Sequence, residues 1–78
     1  MKKTMYKWIV LQDGEIINSG VLSEISDIDV EKIFPKANSN ADRWIGGLQD
    51  YADKNLSEYN YEFRYTKIKI DFSDLLEG

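Results

Sequence analysis

The sequence predicts a small α+β domain: a three-stranded antiparallel sheet, strand order 2-1-3, with one main helix on one face. Three observations carry that expectation. Residues 59–72 alternate apolar and polar with period two, as a strand does. Asp13-Gly14 separates two further strand-like runs, 5–12 and 15–22. Residues 41–54 carry an apolar stripe at helical spacing. At 78 residues the chain has material for one domain and one core, near the small end of what folds alone.

The first two strands follow from their turn. A type I′ hairpin needs positive φ at both central residues, which Gly14 accepts freely and Asp13 tolerates. An unbroken register then sets Gln12 opposite Glu15, Val10 opposite Ile17, Trp8 opposite Ser19 and Tyr6 opposite Val21. One face holds Tyr6, Trp8, Val10, Ile17 and Val21; the other holds Met5, Ile9, Leu11, Ile16 and Leu22, with Lys7 and Asn18 among them. Neither face is cleanly polar, so the hairpin is either covered on both sides or left with an apolar patch that awaits a partner. Lys2 and Lys3 resemble the charged start of a signal peptide. Lys7, however, interrupts the apolar run and no small-residue cleavage site follows, so this segment reads as the first strand. No apolar run is long enough to span a bilayer, and the lack of cysteine excludes a disulfide framework and fits a cytoplasmic setting.

Between residues 26 and 34 the pattern is mixed. Val30, Ile33 and Phe34 have helical spacing, and Asp27 or Asp29 offers a cap for a short helix that ends before Pro35. The main helix is expected over Ala41–Lys54, capped by Asn40 or Ser39 and closed by Asn55 in the left-handed conformation, with Leu56 folding back. Its buried stripe is Ala41, Trp44, Ile45, Leu48, Tyr51 and Ala52; Asp42, Arg43, Gln49, Asp50 and Asp53 face water. Gly46-Gly47 inside that helix is costly, and close packing against Trp44 and Tyr51 is the simplest reason for it. Past Asp71 the strand is expected to end and residues 73–78 to fray, with Ser73–Leu76 adding at most a turn of helix.

The last strand holds the main puzzle. Tyr59, Tyr61, Phe63 and Tyr65 are odd-numbered, whereas Ile68, Ile70 and Phe72 are even-numbered. Either a β-bulge near Thr66 or Lys67 keeps both sets on one face, or one set turns outward, most simply some of the tyrosines.

Catalytic equipment is sparse. Without histidine or cysteine the most adaptable acid–base and nucleophilic groups are missing, so no enzyme, cofactor or metal is expected. Asp27, Asp29 and Glu31 fail the calcium-loop template, which would place Lys32 at the required glycine and Asn38 at the closing glutamate. Gly46-Gly47 lacks the strand-to-helix context of a phosphate loop. Net charge is −4; residues 13–31 carry six carboxylates and no basic residue, while cations gather at Lys2, Lys3 and Lys7 and at Arg64, Lys67 and Lys69. The expected role is therefore a non-enzymatic interaction module that binds another protein through Tyr59, Tyr61, Arg64 and Tyr65, with Asp50 and Asp53 as a secondary acidic surface. A sharper version is an inhibitor that imitates nucleic acid on a basic groove, by analogy with small acidic inhibitors of phage or mobile-element origin. The alternative is a single-stranded nucleic-acid binder using Tyr61, Phe63, Tyr65, Lys67 and Lys69. A homodimer through the spare sheet face is the third reading.

Overall fold

A computed structural model describes residues 2–23, 28–38 and 42–77. The elements are β1 (Lys2–Gln12), β2 (Glu15–Leu22), β3 (Ile28–Asp29), α1 (Val30–Ile33), β4 (Asp42–Arg43), α2 (Leu48–Asn55), β5 (Tyr61–Asp71) and α3 (Ser73–Glu77). The fold is α+β. β2, β1 and β5 form an antiparallel sheet with β1 in the centre, and β3 and β4 form a separate two-stranded ladder. The expected caps Asp27, Ser39 and Asn40, and Ala41, lie outside the described residues.

The Asp13-Gly14 turn has the expected backbone, with φ 52° and 84°. It sets Gln12 opposite Glu15 and Leu11 opposite Ile16, but Val10 then pairs with Asn18, Trp8 with Gly20 and Tyr6 with Leu22. The expected register is therefore wrong by one residue beyond the turn, because Ile17 is extruded as a bulge. The packing supplies the reason. The bulge moves Asn18, Gly20 and Leu22 onto the Trp8/Val10 face and sends Val21 to the other. Gly20 then lies beneath the Trp8 indole, where an added Cβ would sit 2.7 Å from Cζ2. Asn18 turns its amide onto the end of α1, donating to the carbonyls of Lys32 at 3.3 Å and Ile33 at 3.0 Å, two acceptors the helix leaves open.

The core is one-sided. Trp8, Val10, Tyr61 and Phe63 from the sheet pack against Val30, Ile33, Phe34, Ile45, Leu48, Tyr51, Ala52 and Leu56. Phe34 is the hub, with ring centroids 5.5 Å from Tyr61, 6.3 Å from Phe63 and 6.4 Å from Tyr51. α1 is a single turn capped as expected: the Asp29 carboxylate accepts from Glu31 N–H at 3.0 Å.

The main helix is shorter than its stripe suggests. α2 starts at Leu48; ahead of it Asp42–Arg43 is a strand and Ile45–Gly47 a 3-10 turn. Gly46-Gly47 thus lies at the entry to the helix, not inside it. Trp44, expected in the core, is exposed, and its indole folds across Gly46, leaving no room for a Cβ there. Asn55 stays helical, and the left-handed residue is Asn60 instead, at φ 56°, where the chain turns from a 3-10 turn into β5. Leu56 does fold back into the core. At the far end Ser73–Glu77 is helical, held by Asp71, which accepts from the Ser73 hydroxyl at 2.6 Å and N–H at 2.9 Å. These two bonds lower the Asp71 pKa below the ordinary carboxylate value.

Gly20→Ala should cost about 1–3 kcal/mol, the usual range for overpacking a filled site. The readout is urea denaturation, and Ser19→Ala on the opposite face should leave the midpoint nearly unchanged.

Candidate functional site: the two faces of the sheet

β1 and β5 pair without interruption from Gln12↔Tyr61 to Lys2↔Asp71. No bulge interrupts β5, so the phase change in its sequence is carried directly into space. Tyr61 and Phe63 share the Val10/Trp8 face and are buried; Ile68 and Ile70 point to the other side. The residues expected to act together are therefore divided. Tyr61 and Phe63 belong to the core and offer no ring face to a ligand. Tyr59 is half-buried and stacks on Tyr61 with centroids 5.5 Å apart. Tyr65 is 45% exposed at the margin of the core, 5.8 Å from the Phe63 ring. Arg64 lies on the opposite face, ion-paired with Glu62. Lys67 and Lys69 are exposed on the core-side face beyond the helical layer. A stacking platform for single strands needs several accessible rings, and along this strand only Tyr65 is substantially exposed.

The acidic pair also has internal partners. Asp50 pairs with Lys54 at 3.1 Å, both well exposed, and Asp53 accepts from the Gln49 amide at 2.9 Å. A cleft of about 710 Å³ adjoins this end of α2, bounded by Asp13, Gln49, Asp53, Asn60 and Glu62 among others. Among the described residues no three carboxylates converge as a metal site would require.

Gln49, expected to face solvent, does structural work. Its amide donates to Tyr61 C=O at 3.1 Å and accepts from Phe63 N–H at 2.6 Å. A single side chain thereby pairs with the start of the β5 edge as a neighbouring strand would, satisfying two of the backbone groups that point away from β1. Helical periodicity places Gln49 opposite the core stripe, and nothing in the sequence indicates a strand edge within its reach.

The face turned away from the helices is the surface that no described element covers. Across its rungs lie Leu11, Ile16 and Glu62; Ile9, Ser19 and Arg64; Lys7, Val21 and Thr66; then Met5 with Ile68, and Lys3 with Ile70. Ile16 is 61% exposed and Val21 47%. Isolated exposed apolar residues are ordinary, whereas a contiguous apolar stripe bordered by polar groups marks a contact surface. Two lysines and an arginine stand in or beside this stripe. Of the contacts expected from the sequence, Arg64 lies on this face, whereas Tyr61 is buried and Tyr65 borders the core-side face.

No family model matches the chain, and no curated protein or solved structure matches it. Among the described residues no helix is long and apolar enough to cross a membrane.

Two measurements check this geometry. Gln49→Ala strips the partners from Phe63 N–H and Tyr61 C=O, so it should cost about 1–3 kcal/mol and speed hydrogen exchange at the Phe63 amide. Tyr61 is pushed above the ordinary tyrosine value, chiefly by burial; a backbone hydrogen bond with Lys36 opposes the shift and nearby Tyr59 adds to it. Burial that favours the neutral phenol stabilises the fold fully below the ordinary value, and this contribution is lost as pH rises through the raised one. Tyr61→Phe should therefore lessen the fall in urea midpoint between about pH 8 and about pH 11, a window spanning the usual tyrosine pKa near 10.

Proposed function

We propose that this chain is a non-enzymatic interaction module whose open sheet face docks another protein. The supporting observation is the stripe of Met5, Ile9, Leu11, Ile16, Val21, Ile68 and Ile70, on a sheet face that none of the described elements covers. Burying such a stripe removes apolar area from water at roughly 25 cal/mol per Å². Lys7, set into the apolar floor, favours a partner that presents a carboxylate among its apolar groups; Arg64 beside it is already ion-paired with Glu62. Tyr65 and Tyr59 border the opposite, core-side face and are not needed for this contact. The acidic mimicry reading draws less support, because Asp50 and Asp53 are already engaged by Lys54 and Gln49.

The test is affinity capture from the native host with immobilised wild-type chain and with the Ile16→Glu/Val21→Glu double variant. Both positions are exposed, so the variant should keep its far-UV circular dichroism spectrum. A captured protein that is lost with the double variant is the expected result. Capture that is indifferent to these two substitutions would contradict docking on this face.

A further inference from the structure

We infer that the open face takes a second copy of this chain, the two copies stacking their β1–β5 arms antiparallel and each seating its α3 on the other; the inference rests on the docking reading above and names the partner. The arm is the first reason. β2 pairs as far as Tyr6↔Leu22, so residues 2–5 and 68–71 continue as a two-stranded ribbon outside the three-stranded sheet. The molecule is accordingly long, 48 × 25 × 17 Å. An isolated two-stranded ribbon is marginal in water, and a third layer or strand is needed to hold it.

Complementarity is the second reason. α3 has the sequence SDLLE, and Leu75 and Leu76 are 76% and 65% exposed beside Asp74. The open face is apolar with Lys7 set in it, next to the Arg64–Glu62 ion pair. One chain thus holds an uncovered apolar segment with a carboxylate and an uncovered apolar floor with a lysine. α3 sits at the tip of its own arm, immediately after β5, so the floor it fits is a partner's.

A two-fold axis between the Met5–Ile68 and Lys3–Ile70 rungs satisfies both requirements. It stacks Ile68 of each copy on Ile70 of the other and lays the aliphatic stem of Lys3 along Met5, at the usual sheet separation of about 10 Å. It also carries α3 of each copy over the partner's rungs at Lys7 and Ile9, where Leu75 and Leu76 meet apolar side chains and Asp74 faces Lys7. The interface is isologous and closes on itself, so it yields a dimer rather than a fibre.

Sedimentation velocity of the full chain from about 5 to about 200 µM, a range in which a micromolar Kd is visible, tests this. The expected result is a dimer whose Kd rises about tenfold or more on Leu75→Asp/Leu76→Asp, positions too exposed to unfold the single chain. Lys7→Glu should weaken it as well, and adding Asp74→Lys to that variant should restore it. A single-copy species at the highest concentration, a dimer indifferent to the leucine changes, or a charge exchange without rescue would each overturn the inference. A monomeric chain whose host capture is still lost with Ile16→Glu/Val21→Glu refutes self-pairing alone. Capture unmoved by that variant refutes the docking reading itself.

Discussion

The unbroken pairing of β5 with β1 is the constraint on which the rest of the molecule depends. Side chains along a strand alternate strictly, so a sequence that changes phase must either insert a residue or change the face it makes apolar. β5 does the latter. Tyr61 and Phe63 close the core against Phe34, and three residues beyond Tyr65 the same strand presents Ile68 and Ile70 to the opposite side. The placement of these isoleucines makes this sheet apolar on both faces, of which the described elements cover one.

The bulge missing from β5 is found in β2. Extruding Ile17 shifts the outer strand by one residue and so places its smallest side chain, Gly20, beneath the largest, Trp8. The same shift aims Asn18 at the open carbonyls of α1 and leaves Val21 on the uncovered face. The Trp8 indole N–H is buried without a partner among the described residues, a cost of about 1–3 kcal/mol that the surrounding packing has to outweigh. Fitting one aromatic side chain against the sheet therefore helps set the composition of both faces.

Much of this was legible in the chain. The Asp13-Gly14 turn, the strand order, the capped turn at Asp29 and the Leu48/Tyr51/Ala52 face follow from local rules that tertiary packing did not override. What was not legible arose from contacts distant in sequence. The stripe from Trp44 to Ala52 satisfies helical spacing, yet the helix begins only at Leu48, because Gly46 lies under the Trp44 indole in a 3-10 entry. Gln49 reads as a solvent-facing helical residue until β5 is placed beside it. The tyrosine row looked like a surface because four aromatics in alternation signal a face without saying which. That assignment depends on the β1 register, and Trp8 and Val10, by claiming the core, draw Phe63 and Tyr61 in with them.

The claim of a bulge-free β5 is tested most directly by interstrand nuclear Overhauser effects between α-protons. Phe63 N–H and Tyr61 C=O point away from β1, so the odd residues of β5 form the non-hydrogen-bonded pairs, where α-protons approach closely. The account predicts strong Hα–Hα effects for Trp8/Tyr65, Tyr6/Lys67 and Thr4/Lys69, continuous across Thr66. Loss of the last two pairs, replaced by contacts shifted one residue along β5, would reveal a bulge and place Ile68 and Ile70 on the core side, contradicting the two-faced sheet.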